Sequence, residues 1–259
     1  MQMLNRFTQA VLGCLLDEGC LVCQRPTPGH LCRDCDRQLR CCQVSHAPPS
    51  NLDRPLFAWG DYGGMLRQAI ALIKYHNCPQ LARPLGHWLG QAWLDQQTSH
   101  PNHANQRLLK MPQLVVVPIP MYADKQRQRG YNQAELLADA FCQVTGLPLA
   151  RRGLVRERNT SPQFELSGAE REANLQQAFR LGTMKGRSPV LLLDDIYTTG
   201  ATVRSALQVF QAAAIPVQGV VVLARAGGHP PRNPDPSSLG VGNGAAIGAI
   251  ARSIDRRRV

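Results

Sequence analysis

Two adjacent carboxylates, Asp194 and Asp195, precede the run Thr198-Thr199-Gly200-Ala201-Thr202. These residues carry the clearest chemistry in the chain. Side-by-side carboxylates accept hydrogen bonds from sugar hydroxyls or hold a hard cation such as Mg²⁺, and burying them without partners is costly. A turn of small and hydroxyl residues ahead of a helix gathers backbone N–H groups at the positive end of the helix dipole. Such a nest binds phosphate without any lysine. Gly200 lets the backbone turn tightly and approach a ligand closely. A ribose 5-phosphate suits every part, with its phosphate on residues 198–202 and its 2′- and 3′-hydroxyls on Asp194 and Asp195, directly or through Mg²⁺. The competing explanation is an ordinary strand-to-helix turn with an Asp N-cap, which requires less than this pattern supplies.

A second constellation lies near the N-terminus. Cys20 and Cys23 form one CxxC pair, and Cys32 and Cys35 form another. Each pair can make a tight knuckle, and two pairs this close suit a tetrahedral Zn²⁺ site. The turn-rich loop QRPTPGHL allows the chain to double back. A reducing compartment favours metal over disulfide; unconnected thiols are the simpler alternative. Arg25, Arg33, Arg37 and Arg40 surround the cysteines and offer a docking or nucleic-acid surface. A third group is basic: Lys125, Arg127 and Arg129 lead into Gly130-Tyr131-Asn132-Gln133. A guanidinium presents a bidentate fork to phosphate oxygens. Charge runs are also common as solvated loops.

The elements that position these groups follow from apolar patterning. Val190 to Leu193 reads as a buried parallel strand, with a helix running from the threonine turn to about residue 214. Further strands are expected at 56–62, 114–120, 178–181 and 216–225. Helices are expected at 3–16, from 64 to 75, at 79–97 and at 132–145. Segments 46–51 and 99–112 read as linkers. Residues 151–174 are polar and Arg-rich, with Ser167 and Glu170 as a capping box. The segment 226–259 is rich in Gly and Pro, ends on Arg256-Arg257-Arg258, and is expected to be disordered.

Composition sets the outer bounds. The chain has 259 residues, 44% of them hydrophobic, and a formal charge of +11 from 29 basic and 18 acidic residues. That is enough for one mid-sized core plus a small module. The charge favours anionic partners such as nucleotides, diphosphates or nucleic acid. No apolar run is long enough for a membrane-spanning helix. Val11-Leu12-Gly13-Cys14 imitates a lipidation site, but polar residues before it argue for an ordinary thiol and a cytoplasmic protein.

VLLLDDIYTTGATV resembles the phosphoribosyl-diphosphate signature of type I phosphoribosyltransferases. The rest of residues 18–225 resembles one branch of them, the ComF family, whose "RGfNqa" segment stands here as RGYNQA and whose "lKY" segment ends in Lys74-Tyr75. The cysteine module resembles the family's double zinc ribbon, with only Cys41 and Cys42 left of its downstream pairs. The resemblance implies an α/β fold: a phosphoribosyltransferase-like parallel sheet flanked by helices over 52–225 and a Cys₄ zinc module within 1–47; the tail over 226–259 lies outside it. It implies phosphoribosyl diphosphate with Mg²⁺ as ligand, with Asp194 and Asp195 on the ribose and residues 198–202 on the phosphate. Lys125, Arg127 and Arg129 would meet the diphosphate. Arg158 and Arg171, within an "R..T..Q..L....R..N" spacing, belong to a loop that would close over the substrate. The family is linked to DNA uptake in competent bacteria.

The resemblance thus implies a phosphoribosyl-diphosphate-binding protein serving competence in the cytoplasm. Two other functions compete. One is an active phosphoribosyltransferase of nucleotide metabolism, in which Mg²⁺ and arginines would stabilise the leaving diphosphate. Thr198 stands where purine-salvage enzymes carry an aspartate base, and a threonine cannot take that role at neutral pH. The other is a non-catalytic binder of nucleotides or single-stranded DNA, or a scaffold for the DNA-uptake machinery. Aromatic content of 5% argues against a dedicated stacking platform.

Overall fold

The computed structural model describes residues 19–44, 52–99, 114–157, 178–184 and 186–227. The helix expected at 3–16, the two linkers, most of the Arg-rich segment and nearly all of the tail lie outside the described residues. The chain divides into two compact units with the boundary at Cys41/Cys42.

In the small unit a bridge between Gly19 and Pro26 closes a turn, and one helix follows, α1 (Arg33–Arg40). Acidic Asp34 and Asp36 sit in its first turn and basic Arg37 and Arg40 in its last, which complements the helix dipole. Among the described residues of this unit only Cys20, Val22, Cys35 and Leu39 are buried apolar groups, little surface to hold them together.

The large unit is built on a four-stranded parallel sheet. Its strands, in spatial order, are β1 (Leu56–Asp61), β6 (Val217–Arg225), β5 (Val190–Tyr197) and β2 (Val115–Pro118). The apolar residues Val190 to Leu193 and Val220 to Ala224 are all buried, as sheets covered on both faces require. The outer edge of β2 is covered: the Val116 amide donates to the Pro148 carbonyl at 2.9 Å, and the Ala150 amide to the Val116 carbonyl at 2.9 Å. β3 (Leu154–Arg156) and β4 (Phe179–Leu181) form a separate antiparallel hairpin. The sequence reading lacked β3, because three residues give no alternation to read.

Helices cover both faces. α2 (Gly64–Tyr75) follows β1, and a short 3₁₀ turn (Pro79–Leu81) leads into α3 (Ala82–Ser99). α4 (Ala123–Arg129) and α5 (Gln133–Thr145) follow β2, and α6 (Ala201–Ala212) joins β5 to β6. One face of the sheet packs Val190 and Leu192 against Val203, Ala206 and Phe210 of α6 and Leu154 and Phe179 of the hairpin. α5 packs on β5 and β2 and lies along α3. Gly86 permits that close approach, since a Cβ there would lie 2.6 Å from the Leu137 carbonyl oxygen. The chain therefore leaves β2 toward one side and β5 toward the other. In an open α/β sheet such a reversal opens a crevice at the carboxyl ends of the two strands.

Two expectations change. β5 does not stop at Leu193 but runs on to Tyr197, so both acids stand in the strand. Residues 123–129 are helix rather than loop. Their sequence carries no apolar stripe; Gly130 caps the helix in the left-handed conformation at φ 86°.

Candidate phosphate and sugar site, and a candidate metal centre

Alternation along β5 separates the two acids. Asp194 shares its face with Val190 and Leu192, the side of α6 and the hairpin, while Asp195 goes with Leu191 and Leu193. Asp195 is 5% exposed. Its Oδ2 lies 2.7 Å from Lys74 Nζ at the end of α2. That oxygen is buried and lacks hydrogen-bond alignment, so the contact is an ion pair rather than a directed bond. The Asp195 amide donates to Asp194 Oδ1 at 2.8 Å. Burial, with the adjacent Asp195 charge, pushes the Asp194 carboxyl up to about 8. Lys74 pulls in the other direction. Arg156, at the end of β3, is the electrostatic neighbour of Asp194 from the hairpin side; its own acidity is raised by burial and opposed by the Asp194 charge. The Arg156 guanidinium carbon lies 5.3 Å from the centre of the Phe179 ring.

Past Tyr197 the chain makes the expected turn. Thr198 and Thr199 are exposed, Gly200 is buried, and Ala201 and Thr202 begin α6 half-buried. Gly200 is the N-cap at φ 78°, and a Cβ there would lie 2.4 Å from Tyr197 Oη. The turn is thus propped by the buried Tyr197 ring, with the Arg225 guanidinium 5.9 Å from its centre. Arg204 Nη1 donates to the Thr199 carbonyl at 2.9 Å, which fixes the turn from the helix side. The Ala201 amide approaches Thr199 Oγ1 at 3.4 Å. The first turn of α6 carries no acidic residue. Its leading amides thus keep their positive field without a built-in counter-charge, the arrangement that attracts a phosphate.

The switch point brings β2 and RGYNQ to the same rim. Pro118 is in register with Leu193, and the Ile119 amide donates to the Leu193 carbonyl at 2.8 Å. Asn132 ties the next segment there: its Nδ2 donates to the Ile119 carbonyl at 3.0 Å, and its Oδ1 caps α5 through the Ala134 amide. Tyr131 Oη donates to the Ile73 carbonyl of α2. Two of the basic residues of α4 have partners of their own. Arg127 pairs with Asp124, and Arg129 Nη1 donates to Gln133 Oε1 and lies 5.8 Å from the Tyr75 ring centre. Lys125 is exposed. The cations set against the acids are Lys74 and Arg156. Lys74 carried a signal in the "lKY" segment; Arg156 carried none beyond its place in an Arg-rich stretch. Arg158 and Arg171 lie outside the described residues.

In the small unit the thiol sulfurs of Cys20, Cys23, Cys32 and Cys35 all lie within 4.8 Å of one another. Cys23 Sγ and Cys32 Sγ are 3.7 Å apart, close to the roughly 3.8 Å edge of a tetrahedron with metal–sulfur bonds of about 2.3 Å. Backbone bonds shape the first knuckle: the Cys20 amide donates to the Arg25 carbonyl at 2.8 Å and the Gln24 amide to the Cys20 carbonyl at 2.7 Å. Cys32 is the N-cap of α1 and Cys35 lies in its first turn, where burial holds the Cys35 thiol well above the usual thiol range. Burial opposes ionisation of Cys23, but hydrogen bonds led by Arg25 prevail and draw it down to about 6. Four thiols in this geometry can hold one metal ion. The arginines around them are largely engaged within the unit: Asp34 takes Arg25 and Arg37, and Asp36 takes Arg40.

No helix among the described residues is long and apolar enough to cross a membrane. No family model matches the chain. It is similar to competence protein F of Haemophilus influenzae, with 32% identity over 170 residues that cover 64% of this chain and 71% of that protein. It is similar to the DNA utilization protein YhgH of Escherichia coli K12, with 28% identity over 197 residues covering 73% and 82% of the two chains. Competence protein ComFC of Bacillus subtilis is 23% identical over 188 residues, covering 72% and 69%.

Proposed function

Because the chain belongs to the ComF family, we propose that it binds phosphoribosyl diphosphate and serves the uptake or use of DNA. The DNA role is carried over from the names of its relatives, competence protein F and the DNA utilization protein YhgH. The ligand rests on one observation: Asp194 and Asp195 end the strand that leads directly into the glycine-capped N-terminus of α6, beside the switch point. In this reading residues 198–202 take the 5-phosphate, and the carboxylates take the ribose hydroxyls or a Mg²⁺ ion. An acid whose proton is retained to about 8 is one that a divalent cation would relieve of its neighbour's charge. Bound Mg²⁺ supplies positive charge to the diphosphate. Lys74 and Arg156 hold the acids in place from opposite sides, and the α6 amides orient the phosphate. Cys20, Cys23, Cys32 and Cys35 hold one Zn²⁺ with a structural role, and the protein works in the cytoplasm.

Calorimetric titration of phosphoribosyl diphosphate with Mg²⁺ tests the site. Wild type is expected to bind saturably, and Asp194→Asn/Asp195→Asn to lose that binding while staying folded. A folded wild type that takes up no ligand refutes it.

A further inference from the structure

Beyond the acid pair and its turn, one surface combines an exposed aromatic ring with concentrated positive charge. Tyr75, the last residue of α2, is 74% exposed, the one large hydrophobic side chain so exposed among the described residues. An isolated exposed ring needs no explanation, but this one has built surroundings. Arg129, the last residue of α4, lies 5.8 Å from its centre, within cation–π range. The guanidinium is itself held by Gln133 Oε1 at 2.5 Å. The intervening backbone is fixed by the left-handed cap at Gly130 and by Tyr131, whose hydroxyl donates to the Ile73 carbonyl two residues before the ring. Two helix ends are thereby tied together so that a planar cation and a planar ring meet at the surface.

The charge beside them has one sign. α4 carries Lys125, Arg127 and Arg129 against a single acid, Asp124. Lys125 and Arg129, four residues apart, share one face of α4, whereas Arg127 lies on the other side and pairs with Asp124. Stacking rings beside a cationic track are what a single strand of nucleic acid recognises: every base has a π-face, and its phosphates follow the cations. A duplex hides its base faces, and an acidic peptide has no use for the exposed ring.

We propose that Tyr75 with Arg129 is a base-stacking step for single-stranded nucleic acid, with Lys125, one turn back on the same face of α4, on the adjoining phosphate. This rests on the DNA-handling half of the reading above and not on phosphoribosyl diphosphate binding.

The test uses the full chain and fluorescence anisotropy with two probes, an oligothymidylate and an abasic strand of equal length. Tyr75→Ala is expected to weaken oligothymidylate binding about 5- to 160-fold, the range for losing one stacked base, and to leave the abasic strand unchanged. Tyr75→Phe keeps the ring and is expected to restore affinity to within about two-fold of wild type. Lys125→Gln is expected to weaken both probes and to flatten the log–log salt dependence by about 0.7, one single-strand phosphate contact. The proposal is overturned if wild type fails to bind oligothymidylate, if Tyr75→Ala weakens both probes equally, or if Tyr75→Phe is as weak as Tyr75→Ala. Phosphoribosyl diphosphate titrations on the same proteins separate the two ideas. Tyr75→Ala should bind that ligand as wild type does, and strand binding that depends on Tyr75 stands even if wild type binds none.

Discussion

The acid pair predicts an unusual dependence of stability on pH. Asp194 in the folded protein holds its proton to about 8, whereas an unfolded aspartate releases it near ~3.9. Between those values the native state binds the extra proton, so stability falls as pH rises. The contribution is complete below ~4 and gone above ~8. One proton corresponds to ~1.4 kcal/mol per pH unit at most. Asp194 is only half-buried, and halving that slope for solvent screening leaves about 1–2 kcal/mol lost between pH 5 and 7. For a folded unit of this size that is on the order of 5 °C in melting temperature. Thermal melts from pH 5 to 8.5 at constant ionic strength read it directly. Asp194→Asn, which cannot titrate, is expected to flatten the decline. Lys74→Met removes a charge that pulls Asp194 down and should extend the decline to higher pH. Mg²⁺ should raise the melting temperature more at pH 8 than at pH 5, because proton and cation compete for the same oxygens. If Asp194→Asn keeps the wild-type profile, the account of the acid pair is wrong.

The turn and the metal centre give two further expectations. Gly200→Ala combines a left-handed backbone at φ 78° with a methyl 2.4 Å from Tyr197 Oη, whereas Gly130→Ala places a methyl in open space at φ 86°. Urea titrations should show about 1–2 kcal/mol lost at Gly130 from the backbone alone and clearly more at Gly200; equal losses would mean that the tyrosine does not prop the turn. Native mass spectrometry of the purified protein should find one zinc, and Cys35→Ser should lose it; a metal-free wild type, or a variant that keeps its zinc, rejects the four-thiol site.

The sheet was legible because its strands are apolar runs such as Val190–Leu193 and Val220–Leu223, and burial on both faces leaves few other readings. The four cysteines were legible because spacing within each CxxC pair is local. What failed was either too short or too distant. β3 is three residues long, and α4 has no buried side, so neither leaves a periodic trace. Lys74 meets Asp195 only because β1 and β5 are separated by a single strand in the sheet; nothing near either residue marks the other. Composition also leaves open where the aromatic rings lie. Tyr75 is exposed where Trp59, Trp93, Phe141 and Phe210 are fully buried.

The basic excess of the chain is also less uniform than its total of +11. In the small unit Arg25, Arg37 and Arg40 are met by Asp34 and Asp36. In the large unit Arg151 is met by Asp139 and Glu135, and Arg180 by Glu157. At the carboxyl end of the sheet Lys74 and Arg156 face Asp194 and Asp195, so little of that charge is left over. The amides of α6, whose first turn has no acid to compete with them, add a fixed positive field there. α4, with three bases to one acid, keeps a local surplus. Salt should therefore act differently on the two sites. A small anion at the α6 turn is held by fixed dipoles at short range and loses little affinity as ionic strength rises, while a strand along α4 releases counterions and loses affinity steeply. Measuring both ligands across one salt series separates a dipole-built site from a charge-built one within the same unit. Parallel salt slopes for the two would contradict this division of labour.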